Sequence, residues 1–186
     1  ASSDTLNLSG DLTIDNIGTS NDLYVFLANT STSYASIRGN SSVQNSGTGN
    51  LSRVYLGERG DVEFSGTLFL SNNSPASNSQ IYLNRRSSSS NIYNDNITVE
   101  SYNANSDGIL FGENGGDGVL AATKTVTVGA NGYTAGYLYF RNFTQVGPTA
   151  QTINMAAAGT GYFYNYDSDW GGNVDFSGPR MVTRGT

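Results

Sequence analysis

LNLSGDLTIDN at residues 6–16 returns as VEFSGTLFLSN at 62–72, and its opening returns once more as VDFSG at 174–178. The Ser-Gly pairs fall at Ser9-Gly10, Ser65-Gly66 and Ser177-Gly178, separations of 56 and twice 56 residues. Apolar positions repeat along with them. Val43, Val99 and Met155 keep the same interval, as do Ile97 and Ile153. LYVFLAN at 23–29 aligns with SQIYLNR at 79–85 and AGYLYFR at 135–141, which puts Val25, Ile81 and Tyr137 in one column and Leu27, Leu83 and Tyr139 in the next. VYLGERGDV at 54–62 answers ILFGENGGDGV at 109–119, with two extra residues at a turn and with Glu58 and Glu113 as equivalents. This spacing divides the chain into a lead at 1–5, repeats at 6–61, 62–117 and 118–173, and a partial fourth at 174–186. Fixed-interval self-similarity marks an array, in which each unit leans on its neighbours for burial.

Within a unit the pattern is that of strands. Leu6, Leu8, Leu12 and Ile14 alternate with Asn7, Thr13 and Asp15, the period-two signature of a half-buried strand, and Ser9-Gly10 breaks the alternation at a turn or bulge. Further strands are expected at 23–27, 34–38 and 53–56. The only helix-friendly cluster, Met155 to Ala158, is bracketed by β-like residues and Gly159. Fifty-six residues exceed one turn of a simple β-solenoid, so a unit reads either as two turns of about 28 or as a small sheet of four to five strands. A closed three-fold ring competes with both, but the partial fourth copy is surplus to it. The expected fold is therefore all-β, a fibrous or solenoid-like open array of about three repeats plus a partial fourth.

Composition limits what such an array can do. Leu, Ile, Val and Phe number 40 of 186 residues, close to the lower bound for a chain that buries its own core, while Ser (24), Gly (23), Asn (22) and Thr (18) supply turns and wet strand faces. A thin core points to burial shared among repeats or among chains. The net charge is −6, with a single lysine, Lys124, so nucleic acid is a poor partner. Histidine is absent, which removes His-based triads, metal sites and pH switches. Cysteine is absent too. No apolar run reaches the roughly 18 to 20 residues of a membrane-spanning helix. The chain opens on Ala1, as a processed or excerpted chain does.

Three clusters carry candidate chemistry. Asp167, Asp169, Asn173 and Asp175 surround a glycine pair in YNYDSDWGGNVD at 164–175, oxygen ligands of the kind calcium takes, although a solvated acidic turn accounts for the same residues. Tyr164, Tyr166 and Trp170 lie in the densest aromatic stretch, beside those acids. An exposed ring offers an apolar platform to a sugar, and the competing reading is that alternate rings fill a thin core. Val174, Phe176, Ser177 and Gly178 open the surplus strand, which is expected to assemble chains by adding to a neighbouring sheet edge. The carboxylate pairs Asp167/Asp169 and Glu58/Asp61 lack any glycosidase context, so no enzymatic activity and no obligatory cofactor are expected. Arg85 and Arg141 share a column with Asn29, an outward position that would pair with acids of a neighbouring chain.

The run VYLGERGDVEFSGTLFLSN at 54–72, followed by Ser/Asn-rich stretches and IYLNRR at 81–86, resembles the repetitive shafts of bacteriophage tail fibres and similar virion appendages. The resemblance covers most of the chain in texture. It implies an intertwined, β-rich homotrimer on the outside of a particle, with attachment to a host surface, and hence to a host-surface glycan, as the task of the whole fibre. Secreted bacterial or archaeal adhesins and filament subunits share this texture. A carbohydrate-binding lectin with an internal three-fold repeat is the third reading.

Overall fold

The computed structural model describes residues 4–102, 108–158 and 161–184. The chain winds as a parallel β-solenoid of about six turns, and each rung contributes one strand to each of three flat faces. The early rungs are β1 (Thr5–Leu8), β2 (Leu12–Asn16), β3 (Asp22–Leu27); β4 (Tyr34–Ile37), β5 (Ser41–Asn45), β6 (Leu51–Leu56); β7 (Asp61–Phe64), β8 (Leu68–Asn72), β9 (Asn78–Leu83). Then follow β10 (Ser90–Tyr93), β11 (Ile97–Ser101), β12 (Gly108–Phe111); β13 (Asp117–Leu120), β14 (Val126–Tyr133), β15 (Tyr137–Arg141). The last are β16 (Phe143–Gln145), β17 (Gln151–Asn154), β18 (Tyr162–Tyr166); β19 (Asp169–Trp170), β20 (Val174–Ser177), β21 (Met181–Arg184). Every third strand pairs in parallel, giving sheet A from β1 to β19, sheet B from β2 to β20 and sheet C from β3 to β21, each of seven strands. All three sheets are open stacks, so no closed three-fold ring forms.

Alternation along each strand sends one set of side chains into the prism, where identical positions stack into columns. On sheet C the inward columns are Val25–Val54–Ile81–Ile109–Leu138–Phe163 and Leu27–Leu56–Leu83–Phe111–Phe140. On sheet B they include Ile14–Val43–Leu70–Val99–Val128–Ile153–Phe176. Each aliphatic side chain so buried contributes on the order of 1.5–3 kcal/mol. Leu6 holds an inward position but remains exposed, because β1 is the first strand of its stack.

The winding explains the repeat and corrects part of it. Early rungs step by 29 residues from Thr5 to Tyr34 and by 27 from Tyr34 to Asp61, so the 56-residue interval between the first two Ser-Gly pairs spans two unequal coils. The third pair is not their equivalent. Leu6–Leu8 and Val62–Phe64 lie on sheet A, whereas Val174–Phe176 lies on sheet B, one face further around. Later coils are shorter: Gly118 meets Phe143 and Gln151 meets Val174, steps of 25 and 23. Twice 56 is thus a coincidence of shrinking coils. For the same reason Ile153 stacks on Val128 and Val99 rather than on Ile97, while Met155, fully buried, closes a turn by accepting from the Ala158 amide.

A second expected alignment is off by one residue. Leu138 and Phe140, not Tyr137 and Tyr139, continue the Ile81 and Leu83 columns. Coil lengths of 28 and 29 separate Ile81, Ile109 and Leu138, one more than two repeats of 28. A one-residue slip reverses every side chain. Tyr137 and Tyr139 therefore face outward.

Two corner devices set the coil. At the turn from sheet B to sheet C, the Asn16 amide donates to Asn45 Oδ1 at 2.9 Å, and Asn45 in turn donates to Asn72 Oδ1 at 3.2 Å. The Asn45 and Asn72 amides also reach the backbone carbonyls of Ser52 and Ser79, so this buried ladder ties each strand of sheet B to the strand that follows it. At the turn from sheet C to sheet A, six successive coils place a residue in the left-handed region: Ala28, Gly57, Asn84, Gly112, Asn142 and Asp167, with φ of 54°, 85°, 39°, 71°, 50° and 49°. Gly, Asn and Asp tolerate that conformation best, which is why Gly57 and Gly112 open the related stretches GERGD and GENGGDG.

Candidate ligand-binding face

Outward residues of sheet C form the most distinctive surface. One column runs Tyr24–Arg53–Gln80–Gly108–Tyr137–Tyr162 and its neighbour Phe26–Tyr55–Tyr82–Leu110–Tyr139–Tyr164. Arg141, Tyr166 and Arg184 extend the face at its corner. Rungs in a sheet lie about 4.8 Å apart, so like side chains at successive positions are forced into contact.

The second and third rungs of this face are sealed at Tyr55 and Tyr82, whereas Tyr24 and Phe26 on the first rung are exposed. Phe26, Tyr55 and Tyr82 stack almost flat on one another with centroids 4.8 and 4.9 Å apart, and Tyr55 and Tyr82 are only 4 % and 3 % exposed. Arg85 lies over both tyrosines, 4.8 Å from the Tyr82 ring, and binds Glu58 at 2.8 Å and Glu113 at 2.7 Å. Arg86 joins Glu58 at 3.2 Å. The expected pairing of Arg85 with another chain is thus met within this one: the left-handed corners bring Glu58 and Glu113 to the coils on either side of it. Burial alone would lower the Arg85 pKa, but the hydrogen bond to Glu113 and the charges of Glu58 and Glu113 outweigh it and raise it. Burial pushes the Tyr82 phenol well up, so it stays neutral.

The late half is open. Tyr137, Tyr139, Tyr162, Tyr164 and Tyr166 form a contiguous patch with centroids 5.2 to 5.9 Å apart, and several rings are turned out of the stack: Tyr139 and Tyr166 cross at 88°, Tyr139 and Tyr164 at 49°. Arg180 lies 5.1 Å from the Tyr162 ring and Arg184 6.0 Å from the Tyr166 ring. Neither arginine has a carboxylate partner among the described residues. Arg141 donates to the Glu113 carbonyl through one terminal nitrogen and leaves its buried Nε without a partner.

Of the three aromatic residues singled out from sequence, Tyr164 and Tyr166 belong to this patch and Trp170 does not. Trp170 lies on sheet A with its ring against Phe140 and Phe143, both centroids at 5.2 Å, and its Nε1 donates to Asn165. The Asp167 corner turns the chain between them. Tyr162, which belongs to the same dense aromatic stretch at 162–170, joins Tyr164 and Tyr166, as do Tyr137 and Tyr139, whose outward placement the alternation in YLYFR signals.

The four candidate calcium ligands are spread over the prism. Asp167 is a corner residue, Asp169 lies on sheet A, Asp175 on sheet B and Asn173 in the turn between β19 and β20. No group of three or more acidic side chains able to hold a metal occurs among the described residues. Val174 and Phe176 pack against the core, and Ser177 Oγ meets Asn154 Oδ1 at 3.1 Å, so the strand predicted to assemble chains first pairs with β17 of its own. Gly178 follows it, at the turn to sheet C. Comparison with protein-family models, with curated proteins and with solved structures finds no match.

Proposed function

We propose that the chain is a non-enzymatic structural segment of an extracellular fibre, a tail fibre or similar virion appendage that serves host attachment. The observation that carries this reading is the direction of stacking: strand pairing, core columns and corner devices all run along one axis, so each added coil lengthens the body by about 4.8 Å. Such a body transmits load and displays a periodic face. In this reading three chains form the homotrimer that the resemblance to fibre shafts implies, packed side by side rather than intertwined because each coil winds on its own chain. Light scattering on the purified chain tests it: a discrete species of three 19.7 kDa chains is expected, and a strict monomer at all concentrations would overturn the trimer.

One observation favours a second reading, a secreted adhesin or filament subunit that polymerises end to end. The outer edges of β1, β2 and β3 and of β19, β20 and β21 pair with no further strand among the described residues, and their columns match. Leu8 is the counterpart of Trp170, Leu12 of Val174, Ile14 of Phe176 and Val25 of Met181. Exposed strand edges are ready-made pairing sites. Removing 174–186 would abolish assembly under this second reading and leave a side-by-side trimer intact.

A further inference from the structure

From the late half of sheet C we infer a binding face for an acidic polysaccharide, one whose sugar rings carry carboxylates. The inference deepens the attachment reading and rests on it for the whereabouts of the glycan.

Four features of the patch select this ligand. Tyrosine offers a rigid apolar ring and a hydroxyl at low entropic cost, a combination suited to ligands that are part apolar face and part hydroxyl. The hydroxyls of Tyr137, Tyr162, Tyr164 and Tyr166 make no hydrogen bond within the described residues, and Tyr137 is 39 % exposed. Tyr139, Tyr164 and Tyr166 are tilted against one another and each is half-buried, unlike Tyr55 and Tyr82, which stack flat and are buried. Arg180 and Arg184 sit on the rim without counter-charges, and a guanidinium takes a carboxylate through two parallel hydrogen bonds.

The same chain shows why the counter-charge comes from outside. In the early half, Arg85 and Arg86 are satisfied by Glu58 and Glu113. Of the acids on the outer side of sheet A, Asp61 accepts from the Ser90 amide at 2.7 Å and Glu63 accepts from the Tyr34 hydroxyl and the Asn94 amide, while Asp117 and Asp169 are exposed and make no ion pair among the described residues. Asp117 and Asp169 of a second copy are the competing source of counter-charge, and solution mass separates that case from a glycan. A polyuronate brings carboxylates at regular spacing along its length. Running along the stacking axis, it would meet Tyr137, Tyr162 and then Arg180 at one edge of the face, or Arg141, Tyr166 and then Arg184 at the other.

Calorimetric titration of the full chain with polygalacturonate oligomers, and with the same oligomers fully methyl-esterified, tests the proposal at low salt. Binding of the acid form is expected, at least about tenfold tighter than the neutral ester, since one charge-assisted pair is worth about a factor of ten. The double variant Arg180→Ser/Arg184→Ser is expected to lose that preference with its melting curve unchanged, both residues being exposed on the last rung. Tyr162→Phe/Tyr164→Phe keeps the rings and weakens both ligands. Equal affinity for acid and ester, full binding by the arginine variant, or no binding at all would overturn the proposal. So would an oligomer that the arginine variant dissociates, because the face would then be a contact between copies. A monomer that binds polyuronate leaves this inference standing and removes the trimer, whereas a trimer that ignores polyuronate removes this inference alone.

Discussion

The first four rungs and the last three stack in the same way yet hold their register by different means. Early coils are long, stepping by 29 and 27 residues, and carry a buried amide ladder through Asn16, Asn45 and Asn72 with aliphatic columns beside it. Late coils shorten to 25 and then 23 residues, the ladder has ended, and the interior fills with Phe140, Phe143, Phe163 and Trp170, packed onto Phe111 of the fourth rung. Directional hydrogen bonds fix the long coils, and ring volume fixes the short ones. The outer face of sheet C changes too: Tyr55 and Tyr82 are buried beneath the ion-paired Arg85, whereas the later tyrosines are partly exposed beside Arg180 and Arg184. The charges of Arg85 and Arg86 are met within the chain, and those of Arg180 and Arg184 are not.

The largest effect expected on this division is at Phe140, fully buried and 4.4 Å from Phe111 and 4.8 Å from Phe143. Phe140→Ala should cost about 3–5 kcal/mol in urea unfolding, since a cavity there removes contacts to several rings at once. Asn45→Ala should cost about 2–3 kcal/mol by the same measurement, because it strips partners from Asn16, Ser52 and Asn72 together, and Asn45→Leu should not rescue it. If Asn45→Leu were neutral, the ladder would not be what fixes the early coils.

Arg85→Glu places a third acid beside Glu58 and Glu113. The triad is partly exposed, so a loss of about 2 kcal/mol is expected, between the values for surface and buried pairs, with no change in solution mass. At the junction of the two regions, Tyr93 and Tyr133 are fully buried and burial holds their phenols far above the usual range. Their folded pKa lies above the unfolded value, so the stability they contribute is present at neutral pH and falls once pH passes the unfolded value near 10, at about 1.4 kcal/mol per tyrosine for each further unit. Unfolding midpoints recorded from pH 8 to 11 check this. The smallest effect concerns Asp95, held below the ordinary carboxylate range by its hydrogen bonds to Lys124 and to the Asn96 amide. Its contribution is present above the unfolded pKa and lost as pH falls through the folded one. Lys124→Met should remove about 0.5 kcal/mol at pH 7 and less at pH 3.

Strand-forming segments, the absence of helices and the two-coil interval between Ser9-Gly10 and Ser65-Gly66 were all legible in the sequence, because alternation and turn residues are local signals. The winding was legible only as one of two alternatives, two solenoid turns of about 28 residues or a small sheet, since nothing local distinguishes the next strand in a hairpin from the next face of a prism. Arithmetic on a constant interval worked through Val54 and Ile81 and failed at Tyr137, where one added residue reverses the strand, and at Val174, where shorter coils move the motif to another face. The Asn16, Asn45 and Asn72 ladder follows the same 29 and 27 step as the Ser-Gly pairs and was available to be found. It lay hidden among 22 asparagines. Of the candidate site, Tyr164 and Tyr166 could be read as an aromatic cluster, whereas Tyr137 and Tyr139 join them only through stacking between coils.

The left-handed corner has a use as a ruler. Ala28, Gly57, Asn84, Gly112, Asn142 and Asp167 mark one edge of the prism, and five of the six are residues that adopt the conformation readily. In a longer stretch of such sequence, each further turn would announce itself by a Gly, Asn or Asp some 25 to 30 residues after the last, whatever happens to the motifs on the faces. Coil number, and with it length along the axis, could then be counted from punctuation at a single edge.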